Sequence, residues 1–433
     1  MAFVLLLLYT VFLILRPQDF VPALAGAPYM MIFLAGAFFA TALGRRLSFS
    51  DVPTLALFGL VLVMMLSTVA NGWAGGIVPI ITNFGTIVAT YLICAGQLRD
   101  GDRLRWFSLV ICICTSVIVL HSVQQAQTGV GWTGAKTVEG NRVTWVGIFN
   151  DPNDLGLLFL VALPMLLMRA RLAASLLPRA FWYALTAAHV YAVWLTHSRG
   201  ALLTLMLLAA IAFLRRYGVL RLMAAGIVAL PALYLLLSRM RAIETDEESA
   251  YGRIDAWYTG IQLFRENPLL GVGMDAFTDY HHLTAHNSYI LVLAELGASG
   301  YMMWTLMISA AMLMVWRATH GKLDAATPDS ASAQAQAGFA VPKKPDKRPS
   351  ALLVEGNMIL YAMVAYLSAS FFLSRSYIVL LYILCGMAVA YFHKARQTDP
   401  EIISVTAKSL TAFVVLMVPF SLIGLYLVVR FLL

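Results

Sequence analysis

Leu104–Val123, LRWFSLVICICTSVIVLHSV, carries one charge near its start and is otherwise apolar or weakly polar to its end. A helix that crosses a hydrocarbon core about 30 Å thick needs about 20 residues of this kind. Met1–Leu15, Leu55–Ala70 and Thr411–Leu427 read the same way, and shorter runs lie between them. Across 433 residues, 61% are hydrophobic and only 12% are charged, whereas soluble domains carry about 25% charged residues. With no water in the bilayer core, backbone groups must pair within helices or in a closed barrel. A barrel needs short segments of alternating polarity, and none is evident. The expected fold is therefore all-α: a polytopic transmembrane helical bundle in one integral membrane domain over residues 1–433.

About thirteen spans are expected, near 1–15, 28–44, 52–70, 76–97, 104–124, 153–170, 180–196, 200–214, 218–238, 287–316, 351–373, 376–392 and 409–429. Met1–Leu15 has no basic leader and no small-residue cleavage site, so it reads as a span rather than a signal peptide. Taking alternate loops sorts the 30 Lys and Arg into two sets. Ten belong to one set: Arg16, Lys136, Arg142, Arg199, Arg239, Arg241, Arg253, Arg265, Arg375 and Arg430. The other twenty fall in the second set, which makes it cytoplasmic by the positive-inside bias and puts the N-terminus inside and the C-terminus outside. That bias also explains the net charge of +8 without nucleic acid. The four cysteines, Cys94, Cys112, Cys114 and Cys385, lie in apolar runs and read as buried structural thiols rather than disulfides or metal ligands.

Three polar segments interrupt the spans. Residues 317–350, rich in Ala, Pro, Lys, Ser and Gln, read as a flexible cytoplasmic loop. The outer loop 125–151 is Gly-rich and leads into Asn150-Asp151-Pro152-Asn153-Asp154-Leu155-Gly156, a turn followed by a helix start. The outer loop 239–286 is expected to carry short helices. It holds Arg239, Arg241, Arg253, Arg265, His281, His282 and His286, and arginines retained on the side where they are normally scarce suggest an anionic ligand.

Candidate chemistry gathers around these loops. Thr196-His197-Ser198-Arg199-Gly200 breaks an apolar stretch, and Arg199 reads either as an anion-facing group or as a snorkelling side chain at a tight turn. Arg253 and Trp257 share a face if their segment is helical. The guanidinium suits phosphate oxygens, although a salt bridge with Asp255 or with the acidic run Glu244–Glu248 would explain it too. Asn267-Pro268-Leu269-Leu270-Gly271-Val272-Gly273 follows a short amphipathic helix expected at 253–265 and reads as a turn. His286-Asn287-Ser288-Tyr289 opens the next apolar run, with Glu295-Leu296-Gly297 about two turns on. An imidazole there can be a general base or a polar anchor, and His281 and His282 are rivals for that role. These histidines and Asp279 match no standard metal-site spacing.

In this order the motifs resemble the O-antigen ligase and polymerase family of bacterial membrane glycosyltransferases, over roughly residues 145–300. The resemblance implies an undecaprenyl-pyrophosphate-linked saccharide donor at the periplasmic face of the inner membrane, a glycan or lipid acceptor, and no cofactor or essential metal. It implies that Arg199 and Arg253 hold the pyrophosphate and His286 deprotonates the acceptor, with Asn287, Trp257 and Tyr289 in support. Residues 239–286 would then be a periplasmic catalytic loop, and a polysaccharide assembly complex would be a natural partner. The span count exceeds the family's usual twelve by one, and the 239–286 loop is shorter than in many ligases, which leans slightly towards an exopolysaccharide or O-antigen polymerase over an O-antigen ligase. The alternative is a transporter or flippase for an anionic lipid-linked saccharide, which would be expected to line its spans with ionisable groups. A non-catalytic scaffold is a further alternative.

Overall fold

The computed structural model describes residues 1–139, 141–227, 247–320 and 350–398. Its helices are α1 (Ala2–Ile14), α2 (Tyr29–Leu43), α3 (Val52–Ala70), α4 (Ala74–Gln97, with a π-helical turn at Ile80–Phe84), α5 (Arg103–Thr128), α6 (Pro152–Leu172), α7 (Leu176–Leu195), α8 (Arg199–Tyr217), α9 (Glu247–Glu266), α10 (Phe277–Tyr280), α11 (Ser288–His320), α12 (Ala351–Ala369) and α13 (Val379–Thr398). Residues 219–227 are also helical. Among the described residues there is no β-sheet, only two isolated bridges in the 130–142 loop.

Eight of these helices (α3, α4, α5, α6, α8, α11, α12 and α13) are long and apolar enough to cross a membrane. This is a multi-pass helical membrane protein. Every expected span except 218–238 and 409–429 coincides with a described helix. The exceptions run outside the described residues, as do Arg239, Arg241, most of the 317–350 loop and the C-terminus. The expected span at 180–196 is α7, a 20-residue helix that is not among the eight. The four cysteines are buried and unpaired.

The helices α6 and α13 are the most enclosed and form the centre of the bundle. Around them α6 packs on α7 and α12, α13 on α4 and α11, and α3 on α11. The two loop sets also come to opposite ends. At one end Arg99 donates to the Arg46 carbonyl, and Lys394 pairs with buried Glu355, which also pairs with Arg105. At the other end Arg142, Arg199, Arg253 and Arg375 converge.

The helix α11 is broken near its start. Gly297 adopts φ 62°, ψ −163°, outside helical geometry, and backbone groups freed inside a membrane span must find other partners. The turn 267–273 supplies them: Val272 N–H and Gly273 N–H donate to the Ala294 and Glu295 carbonyls at 3.0 Å each. In return the N–H groups of Ala298 and Ser299 donate to the carbonyls of Pro268 and Leu269 at 2.8 and 3.2 Å. From α3, Ser67 donates to the Leu270 and Glu295 carbonyls, and Asn71 donates to the Gly271 carbonyl at 2.9 Å. The two motifs that read separately in sequence are thus two halves of one joint, which anchors the loop that carries the candidate site.

Candidate active site

Helix α7 ends at Leu195, and α8 begins at Arg199 after a sharp elbow. His197 takes a positive φ of 48°. Ser198 caps α8 by accepting from Ala201 N–H at 3.3 Å, which satisfies one of the orphan donors at a helix start. Small residues let this elbow sit deep in the bundle. A Cβ on Gly156 of α6 would come within 2.8 Å of Ala201 Cβ, and a Cβ on Gly200 within 2.8 Å of Phe372 Cβ. The elbow is therefore wedged between α6 and the turn after α12, with Arg199 fixed at its tip.

Arg253 comes from α9. The amphipathic helix expected at 253–265 extends over Glu247–Glu266, and the turn after it is present. Trp257, one turn beyond Arg253, is buried against Phe371, ring centroids 5.6 Å apart, and so fixes the helix's rotation. Arg199 and Arg253 line one cleft of about 380 Å³, its open mouth included, with Asn153, Ser198, Gly200, Ala369 and Phe372. Half-buried Arg253 makes no hydrogen bond or ion pair with Asp255, one of the two partners the alternative reading offered it; the side chains of the other, Glu244–Glu248, lie outside the described residues. Asp255 instead faces His281, at 3.3 Å from its Nε2. Burial lowers the pKa of Arg253; nearby Arg142 pushes the same way and Asp151 opposes it.

His286 is half-buried, in left-handed backbone with φ 46°, and its ring makes no hydrogen bond with a described residue. Burial draws its pKa down to about 4. Arg253 adds to that, Asp151 opposes it, and Arg375 and His281 add smaller pushes. At neutral pH the imidazole is uncharged and can accept a proton. The rivals differ: His281 is buried, hydrogen-bonded to the Leu283 backbone and facing Asp255, while His282 is exposed and stacked on His281 at 4.5 Å. Arg253 and Arg375 both act on the His286 ring. No group of three or more His, Cys, Asp or Glu among the described residues is placed to hold a metal ion.

The supporting residues divide by role. Asn287 is fully buried, and its Oδ1 accepts from Tyr289 N–H at 2.9 Å and Ile290 N–H at 3.2 Å, so it caps α11 directly after His286. Tyr289 turns inward, its hydroxyl donating to the Leu367 carbonyl at 3.1 Å and its ring edge-on to Trp304. Trp257 and Tyr289 thus brace α9 and α11 against α12 and the turn that follows it.

Three polar residues joined to this centre escaped sequence reading as partners. Arg375 donates from Nε and Nη2 to the carboxylate of buried Asp154 at the start of α6. Its own turn is stitched to α11: Ser288 Oγ donates to the Leu373 carbonyl at 2.6 Å and accepts from Arg375 N–H at 2.8 Å. Arg142, buried, bridges the elbow and α6, donating to the Thr196 carbonyl at 3.1 Å and Asn153 Oδ1 at 3.0 Å. The signals in sequence were that Arg142 and Arg375 stood among the ten basic residues on the side where such residues are scarce, and that Asp154 lay in the Asn150–Gly156 segment read as a turn and helix start.

Compared with known families, residues 180–305 match the O-antigen ligase family. That stretch contains Arg199, Arg253 and His286; Arg142, Asp154 and Arg375 lie outside it. No curated protein matches the chain significantly.

Proposed function

We propose that this chain, whose residues 180–305 match the O-antigen ligase family, is a membrane glycosyltransferase. It would move a glycan from an undecaprenyl-pyrophosphate-linked donor to an acceptor hydroxyl at the periplasmic face of the inner membrane. The observation that carries this reading is the convergence of Arg199 and Arg253 on one cleft with His286 beside Arg253. The acceptor oxygen attacks the donor's anomeric carbon, the bond from that carbon to the phosphate oxygen breaks, and the electron pair leaves on the pyrophosphate. Arg199 and Arg253 bind those oxygens and stabilise the charge as it develops. His286 takes the proton from the attacking hydroxyl.

The free-state pKa of about 4 makes His286 a weak base. A bound pyrophosphate next to Arg253 would offset one of the charges that depress it and move the imidazole toward the working pH. The donor would thereby activate the base. Two arginines provide the charge stabilisation in this mechanism, so the reaction would need no metal. The short 239–286 loop favours a polymerase slightly over a ligase, with a second lipid-linked saccharide as acceptor. The test is to supply purified protein with lipid-linked donor in EDTA and look for longer or relocated glycan. Donor crossing vesicles without product would replace the enzyme with a transporter.

A further inference from the structure

A second opening lies at the far end of the same helices. Between α6, α7, α8 and α12 runs a groove of about 1320 Å³, its open side included. Its walls are apolar, formed by Leu163, Leu167, Leu205, Leu208 and Met358. Its rim carries Arg171, Arg215 and Arg216, all exposed. None of the three pairs with a carboxylate among the described residues. Arg215 donates to Asn357 Oδ1 at 3.1 Å and lies over the Tyr361 ring, 5.3 Å from its centroid. Arg171 ends α6 and Arg215 ends α8, whereas Arg199 begins α8. At 1.5 Å per residue the rim lies roughly 24 Å from Arg199 along the helix, close to the thickness of a hydrocarbon core.

We propose that this groove binds an anionic diacyl phospholipid from the leaflet opposite Arg199, its acyl chains along the apolar wall and its phosphate against Arg171, Arg215 and Arg216. Basic pockets between membrane helices on the arginine-rich side recognise anionic head groups in this way. The shape alone would also admit the tail of a lipid-linked donor descending from the Arg199 cleft. That occupant would bring an uncharged hydrocarbon end to three guanidinium groups with no carboxylate partner among the described residues, whereas a phospholipid brings them a phosphate. Arg215 is already held by Asn357 and Tyr361, so less of its freedom remains to be lost on binding. The inference concerns a different face from the proposed active site and does not depend on the transfer reaction.

The experiment compares phosphatidylglycerol with phosphatidylcholine of the same chains, added to detergent-purified protein. Bound lipid is counted by native mass spectrometry and thermal stability is followed in parallel. Phosphatidylglycerol should bind about tenfold more tightly and raise the melting temperature more. The variant Arg171→Gln/Arg215→Gln/Arg216→Gln should lose that preference. A second variant, Ala209→Phe/Ala212→Phe, fills the groove from two exposed small residues on its wall and should lose bound phospholipid with the arginines intact. Equal binding of the two lipids, or a preference that survives the triple substitution, overturns the proposal. So does retention of phosphatidylglycerol by the filled variant while polyprenyl phosphate alone is displaced, because the groove would then belong to the donor's tail.

Discussion

Arg375 grips Asp154 through two guanidinium nitrogens, joining the turn after α12 to the first turn of α6 across 221 residues of sequence. Asp154 is buried, so removing its partner strands a carboxylate away from water. Arg375→Ala should cost about 3 kcal/mol of stability, read as a lower melting temperature in detergent. The paired variant Arg375→Gln/Asp154→Asn should lose less than the sum of its single substitutions. Strictly additive losses would mean that the two groups do not act as a pair.

The joint in α11 predicts a sharp difference among glycines. Gly271 has φ +69°, and a Cβ there would lie 2.3 Å from the Glu295 carbonyl carbon; at Gly297, with φ +62°, it would lie 2.5 Å from that of Leu269. Both obstacles are backbone and cannot move aside. Alanine at either position should abolish or severely reduce folded protein on size exclusion. Gly85→Ala, in a helix with open space around it, should be neutral or stabilising by about 0.5–1 kcal/mol. Equal tolerance at all three would contradict the joint.

Replacing Arg199 or Arg253 by Lys separates charge from geometry. Lysine keeps the positive charge and loses the planar fork that holds phosphate oxygens in pairs. Each Lys variant should bind pyrophosphate-linked donor more weakly, by roughly 10-fold, and each Ala variant by up to roughly 100-fold. If Lys restores full affinity, the arginines act as point charges only.

The pH dependence follows from the sign of the His286 shift. Its protonated form cannot accept a proton, so activity falls as pH drops through its pKa. In the free protein that limb should lie near 4 and appear in kcat/KM. In kcat, which reports the donor complex, the limb should lie higher, because bound pyrophosphate offsets Arg253. Coincident limbs would show that the donor does not reach the histidine's surroundings.

Much of the fold was legible because the bilayer imposes length and apolarity on every span. The elbow at Ser198 and the turn before α11 were legible for the same reason, as polar breaks in runs that otherwise continue. What sequence could not supply was pairing across distance. Nothing in Asn267–Gly273 says that its carbonyls and amides complete the helix at Gly297. Nothing in Asp154 names Arg375. What distinguishes His281 from His286 also needed three dimensions: His281 faces Asp255, while Arg253 and Arg375 act on the His286 ring. Nor could sequence show that the Tyr289 hydroxyl turns to the Leu367 carbonyl.

On the proposed mechanism, His286 removes a proton in a transfer whose leaving group is held by Arg253. The most direct measurement is glycan transfer by purified protein in EDTA, single turnover, alongside donor binding, for wild type, His286→Ala and Arg253→Ala. The account predicts that His286→Ala retains donor binding but transfers about 10²- to 10⁴-fold more slowly, while Arg253→Ala loses binding and transfer together. Transfer by folded His286→Ala within a few-fold of wild type would contradict it.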